Sequence, residues 1–119
     1  MKRGRSTGNA TAAQVKRWDE IRELGCVCCR LRSIVRAAEI HHMTIGGKHG
    51  QKRLGHDYTF GLCAWHHRGV NAFGSRELGA RTYGPSFAHE PSRFRRVFGT
   101  QEYLLEVQNL MLEKMRAAA

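Results

Sequence analysis

The sequence predicts a small α+β domain. Apolar residues recur at helical spacing near both ends of the 119-residue chain, and two short runs rich in β-forming residues lie between residues 37 and 62. Paired cysteines and histidines follow the first predicted helix and the second predicted strand. Since a chain of this length supports one core of modest size, we expect one domain, with helices around a strand–strand–helix unit and a metal site that stabilises it.

The amino-terminal segment is predicted to be a flexible basic arm. Residues 1–10 carry Lys, Arg, Gly and Ser but almost no apolar side chains, so the folded domain is expected to span residues 11–119. The sequence contains neither the apolar run of a secretion signal nor a stretch of about 18 apolar residues that could span a bilayer. We therefore expect a cytoplasmic protein with no membrane partner.

The first helix is predicted to begin at the capping box Thr11-Ala12-Ala13-Gln14. Val15, Trp18 and Leu24 then recur at helical spacing, and Gly25 supplies a stop. This pattern indicates one buried face, with Trp18 in the core.

The four cysteines of the chain have the spacing of a metal site. Disulfides are disfavoured in the reducing cytoplasm. Cys26 and Cys29 are separated by two residues, as are Cys63 and His66, so three thiolates and one imidazole can close a tetrahedral structural Zn²⁺ site. Cys28 is left over and is an alternative to either Cys26 or Cys29.

Two adjacent histidine pairs lie on either side of a glycine-rich loop. On a strand, His41 and His42 point to opposite faces. On the helix expected after Cys63, His66 and His67 are about 100° apart, so that His66 can complete the zinc site while His67 turns towards the first pair. The alternative interpretation is that these are ordinary surface or core histidines.

The charge of the chain indicates a polyanionic partner. Twenty Lys and Arg against ten Asp and Glu leave a net charge of +10. This excess favours a protein that binds DNA over one whose basic surface is only solvated. The loop from Gly46 to Gly55 combines glycines with Lys48, Lys52 and Arg53, and Arg68 follows the second histidine pair. These cations are predicted to contact phosphates without reading bases.

The carboxyl-terminal part is predicted to be helical. Residues 76–83 and 92–98 have the pattern of short helices, and Thr100 can cap a last helix with an apolar stripe. This helix is expected to pack on the first helix, with a dimer seam as the alternative. The protein is therefore expected to be a monomer or a weak dimer.

The order of these features resembles the ββα-metal, or His-Me finger, motif of HNH endonucleases. Within that group it is most similar to the bacteriophage Ref (recombination enhancement function) proteins, which are RecA-dependent endonucleases. The resemblance covers roughly residues 25–111. Its matching features are Cys26 to Cys29, Glu39-Ile40-His41-His42, Gly55-His56 and Leu62-Cys63-Ala64-Trp65-His66-His67.

The resemblance implies roles for the remaining histidines. His42 is the general base, and His41 and His67 hold a catalytic ion, which is Mg²⁺, Zn²⁺ or another divalent ion. The chain departs from the most familiar HNH pattern, which has an asparagine just before the second strand. His56 or Asp57 stands near that place, and His56 is expected to orient the base or contact phosphate. Asn71, placed one helical turn beyond His67, is a candidate third ligand or a helix cap.

The resemblance also implies the activity. It predicts a metal-dependent DNA endonuclease that hydrolyses phosphodiester bonds in phage or prophage recombination and repair in a bacterial cell, with RecA filaments as a partner. One alternative is a structure-selective nuclease that cuts junctions or branches with the same motif. The other is a zinc-stapled DNA-binding module without catalysis.

Overall fold

The computed structural model describes residues 8–44, 53–72 and 74–119 of the chain. Along them the elements follow in the order α1 (Ala12–Leu24), α2 (Val27–Arg30), β1 (Glu39–His42), β2 (Thr59–Leu62), α3 (Ala64–Arg68), α4 (Arg76–Tyr83), α5 (Pro91–Phe98) and α6 (Gln101–Ala118). The predicted α+β class is confirmed. Most of the predicted arm, together with Lys48 and Lys52, lies outside the described residues.

Helix α1 begins and ends where the sequence predicts. The hydroxyl of Thr11 accepts from the Gln14 backbone at 3.2 Å, the Gln14 side chain accepts from the Thr11 backbone at 2.8 Å, and Gly25 ends the helix with a φ of 93°. The prediction that Val15 belongs to the buried face was wrong, since its side chain is 44% exposed. The helix meets the core only through its carboxyl-terminal half, where Ile21 and Leu24 are buried.

Strands β1 and β2 pair antiparallel, with His41 opposite Phe60 and His42 opposite Thr59. Gly61 in β2 is required by close packing, because a Cβ there would lie 2.8 Å from Cγ2 of Ile21. On the same strand, the Gly61 amide donates to the side chain of Gln108 at 2.7 Å. The buried side chain of Gln108 in α6 thus forms hydrogen bonds with backbone groups of β2 and links the helix to the sheet.

The predicted packing of the last helix on the first is confirmed. Leu112 of α6 forms a core cluster with Ile21 and Leu24 of α1, and Arg116 pairs with Glu20 at 2.7 Å across the same interface. A second core cluster joins α2, β2, α3, α5 and α6 around the cysteines and a set of aromatic residues. Among the residues with described structure, no helix has the length and apolar character needed to cross a membrane.

Candidate functional site

The structure brings together the predicted zinc ligands. One donor atom from each of Cys26, Cys29, Cys63 and His66 lies within 4.8 Å of the others, and all four residues are buried. Nδ1 of His66 is 3.5, 3.8 and 3.2 Å from the sulfurs of Cys26, Cys29 and Cys63, and the last two sulfurs are 4.0 Å apart. A tetrahedral zinc ion requires about 3.8 Å between sulfurs and about 3.5 Å between sulfur and nitrogen. The donor set therefore fits such an ion.

Two helix starts position these ligands. Cys26 is the N-cap of α2 and Cys29 lies within it, directly after the turn at Gly25. Cys63 is the N-cap of α3, where its sulfur accepts from the backbone N–H of His66 at 3.5 Å. The two-residue gap in each pair thus corresponds to one helical turn, which brings both donors of the pair to the same side.

Neighbouring groups orient the imidazole of His66 and favour the charged form of the Cys63 thiol. The Nε2–H of His66 donates to the carbonyl of Tyr83 at 2.9 Å, so Nδ1 is the nitrogen without a proton and faces the sulfurs. Nη1 of Arg36 donates to the sulfur of Cys63 at 3.7 Å. The first contact fixes the tautomer in which Nδ1 of the neutral ring can bind zinc, and the second favours the thiolate form of Cys63.

The close spacing of the cysteines shifts the pKa values of their thiols in opposite directions. A hydrogen bond from Cys28 lowers the pKa of the Cys26 thiol, whereas hydrogen bonds with Cys26 and Cys63 raise that of Cys29. Burial keeps the pKa of Cys28 well above its usual range, and this residue lies outside the four-donor group. Three thiolates this close together are mutually repulsive unless a positive ion lies between them.

A second set of polar residues surrounds His41, on one face of β1. Nε2 of buried His41 lies 2.9 Å from Oε1 of Gln101. The amide of Gln101 is oriented by Thr44, whose carbonyl accepts from its Nε2 at 3.1 Å and whose N–H donates to its Oε1 at 3.4 Å. Since Oε1 can only accept, Nε2 of His41 carries the proton and Nδ1 does not.

His67 has a comparable arrangement. Its Nδ1–H donates to Glu39 at 2.9 Å, which leaves Nε2 of the neutral ring unprotonated. The guanidinium of Arg68 binds both oxygens of Glu39, at 2.8 and 2.6 Å. The hydrogen bonds from Arg68 and His67 hold the pKa of Glu39 at about 2, so its carboxylate is charged at neutral pH.

The rings of His41 and His67 lie 5.3 Å apart in an edge-to-face arrangement. Each ring donates one N–H to a fixed acceptor, and metal-ligating histidines usually have such partners in proteins. In the neutral tautomers that these hydrogen bonds select, Nδ1 of His41 and Nε2 of His67 are the ring nitrogens without a proton.

His42 projects from the opposite face of β1. Its Nε2 lies 3.0 Å from Nδ1 of His56, and Nε2 of His56 lies 2.8 Å from the carbonyl oxygen of Gly8. The indole of Trp18 meets both rings edge-on, at centroid distances of 5.8 and 5.1 Å. Burial, together with the positive charge of Arg53, lowers the pKa of His42 to about 4. The imidazole is therefore neutral at physiological pH.

The other predicted site residues have varied surroundings. Arg53 is exposed and forms an isolated bridge with Thr44. Helix α3 ends at Arg68, and Gly69 caps it in the left-handed conformation with a φ of 73°. The assumption that Asn71 continues the helix was therefore wrong. The side-chain amide of Asn71 donates to the carbonyl of Ser75 at 3.0 Å, ahead of α4.

Sequence reasoning missed the hydrogen-bond partners of His41 and His67. Glu39 lies two residues before His41 and hence on the same strand face, a signal that could have identified it. Gln101 is 60 residues from His41, and nothing local in the sequence connects the two residues. Trp18, assigned to the core, is half-buried and also borders His42 and His56.

A comparison with protein families adds independent information. A family model described as "Recombination enhancement, RecA-dependent nuclease" matches residues 10–113, which is most of the chain. Neither the curated proteins nor the solved structures include a significant match to the chain.

Proposed function

Because the chain belongs to the recombination enhancement, RecA-dependent nuclease family, we propose that it is a metal-dependent endonuclease of the HNH, or ββα-metal, type that hydrolyses phosphodiester bonds in DNA. In this proposal β1, β2 and α3 form the catalytic unit. The Cys26, Cys29, Cys63 and His66 cluster holds a structural zinc ion that fixes the start of α3.

The observation that carries the proposal is the pairing of His41 with His67. These rings come from β1 and α3, lie 5.3 Å apart, and each directs its N–H to an acceptor, Gln101 or Glu39. We infer that they hold the catalytic ion, which is Mg²⁺ or another divalent ion. When bound, such an ion stabilises charge on the scissile phosphate and the leaving oxygen.

His42 is proposed as the general base. With its pKa lowered to about 4, its ring is neutral at physiological pH and can accept a proton from water. The water oxygen then forms a bond to phosphorus, the ester P–O bond breaks, and the leaving oxygen takes a proton from solvent. His56 contacts His42 and orients it for this step.

Cations around the unit are proposed to bind the DNA backbone. Arg53 and Arg68 are exposed, and Lys48 and Lys52 belong to the same basic loop as Arg53. Arg68 uses its Nε and Nη2 groups on Glu39, and a guanidinium has further donors for phosphate on Nη1. The net charge of +10 supports binding that depends on phosphates and therefore on salt.

The family description supports RecA filaments as a partner and DNA recombination as the process. We propose that the chain acts in the cytoplasm of a bacterial cell, on phage or prophage DNA. It would cut DNA to which RecA is bound.

A cleavage assay on three DNA substrates tests this function. Purified, zinc-loaded protein is incubated with Mg²⁺ or Mn²⁺ and plasmid DNA, a four-way junction, or a duplex paired with a RecA filament. We expect divalent-dependent cleavage that is strongest on the RecA-bound duplex. RecA without the nuclease, and the nuclease with a chelator of divalent ions, are the controls.

The outcomes separate the alternatives. Preferential cutting of the junction without RecA would favour a structure-selective nuclease. DNA binding without cleavage of any substrate would favour a zinc-stapled binding module and contradict the proposed activity.

A further inference from the structure

The backbone just before α1 takes part in the His42 site. The carbonyl oxygen of Gly8 lies 2.8 Å from Nε2 of His56, whose Nδ1 lies 3.0 Å from Nε2 of His42. His56 therefore connects the backbone near the amino terminus with the proposed base.

Only one arrangement of protons satisfies both contacts when the two rings are neutral. A carbonyl oxygen only accepts, so Nε2 of His56 carries the proton and its Nδ1 is an acceptor. Nε2 of His42 must then donate to that nitrogen. The unprotonated nitrogen of His42 is consequently Nδ1, which is free of a proton and able to take one from water.

The opposite arrangement would disable the base. If Gly8 did not hold the proton of His56 on Nε2, this ring could carry it on Nδ1 and donate to Nε2 of His42. The single proton of neutral His42 would then be on Nδ1, which could no longer accept one from water. The Gly8 carbonyl distinguishes the productive arrangement from the unproductive one.

The surroundings of His56 restrict its movement. The hydroxyl of Thr59 donates to the backbone carbonyl of His56 at 3.0 Å and accepts from the indole N–H of Trp18 at 3.1 Å. The same indole packs edge-on against the His56 ring. Because both the backbone and the ring of His56 are held, its alignment between Gly8 and His42 is a built feature of the site.

We propose that the Gly8 carbonyl is a positioning group for the base, acting through His56. This inference rests on the proposed function, since it assigns the base atom of that reaction to Nδ1 of His42. It adds a residue outside the HNH-like motif, in the segment that precedes α1, to the groups on which cleavage depends.

The test replaces Gly8 by Pro. Gly8 has a φ of 53°, whereas proline fixes φ near −65°, so the backbone at residue 8 must rearrange and the contact of its carbonyl with His56 is expected to be lost, while the charge of the chain is unchanged. Gly4→Pro makes the same substitution in the same arm and is the matched control. We expect Gly8→Pro to lower kcat about five- to tenfold, the worth of one hydrogen bond, with the KM for DNA unchanged.

A spectroscopic measurement accompanies the kinetics. Nitrogen-15 NMR of the imidazoles reports which ring nitrogen carries the proton. We expect His56 protonated at Nε2 and His42 at Nε2 in the unaltered protein, and a mixture of arrangements in Gly8→Pro. Zinc content and melting temperature should remain those of the unaltered protein.

Two results would overturn the inference. One is a kcat in Gly8→Pro equal to that in Gly4→Pro, and the other is an unchanged imidazole spectrum in Gly8→Pro. If the unaltered protein cleaves no DNA, the proposed function fails instead, and the spectra alone decide whether Gly8 sets the protonation of His56.

Discussion

The His42→Ala protein is expected to stay folded and zinc-loaded while its DNA cleavage falls at least about 100-fold, because general-base catalysis is typically worth ~10² to 10⁴ in rate. His42 is half-buried on the face of β1 opposite His41, so its removal takes away neither a metal ligand nor a core side chain. Single-turnover cleavage, zinc content and DNA affinity are the measurements.

His89→Ala is the matched control for this substitution. His89 is also half-buried, but its Nε2 donates to the carbonyl of Gly69 at the end of α3, and its ring packs against Trp65 instead of against the proposed base. Its removal is expected to cost about 1 kcal/mol of stability, the net worth of one hydrogen bond, and to leave cleavage within about threefold. A His42→Ala protein that cleaves as fast as His89→Ala would show that another group is the base.

The second large effect is expected from Cys29→Ala. In zinc-finger peptides at pH 7 the metal contributes about 10–16 kcal/mol to folding. The net stability of a domain is only about 5–15 kcal/mol, so loss of one of the four ligands should consume most of it. We expect Cys29→Ala to lose its zinc and to melt below physiological temperature or aggregate. Calorimetry and metal analysis measure both effects.

Cys28→Ala separates ligand loss from loss of a buried sulfur. Cys28 is as deeply buried as its neighbours but lies outside the four-donor group. Its replacement should therefore cost about 1 kcal/mol, as for a buried methylene, and preserve one zinc per chain. Zinc retained in Cys29→Ala but lost in Cys28→Ala would exchange the roles of the two residues.

Predictions that depend on local spacing were confirmed. One helical turn fixes the geometry of features that span only a few residues. These features are the capping box at Thr11, the helix start after Cys63 and the two-residue gaps within the metal-ligand pairs. Long-range contacts could not be predicted in this way. Gln101 reaches His41 only because α6 packs against the sheet, and the distance of 60 residues carries no local signal.

Predictions that extended a local pattern too far were wrong. Val15 continues the apolar spacing of α1, yet the core does not extend to the first turn of that helix, and the side chain is exposed. Asn71 has the right spacing from His67 only if the helix continues, but Gly69 ends α3 first. The exposure of Val15 depends on packing partners distant in the sequence, whereas the end of α3 had a local signal in Gly69 that the prediction did not use.

The most direct test of the proposal that His41 and His67 hold a catalytic ion, separate from the structural zinc, compares the zinc-loaded unaltered protein with zinc-loaded His67→Ala. The rate of DNA cleavage by each protein is measured at increasing concentrations of Mg²⁺ or Mn²⁺. Loss of outer-shell partners alone costs about 10–100-fold in metal affinity, and loss of a ligand should cost no less. We therefore predict that the half-saturating concentration of Mg²⁺ or Mn²⁺ rises at least about tenfold in His67→Ala, with one zinc retained and cleavage partly restored at high ion concentration. An unchanged ion dependence in His67→Ala would contradict the assignment of the catalytic ion to His41 and His67.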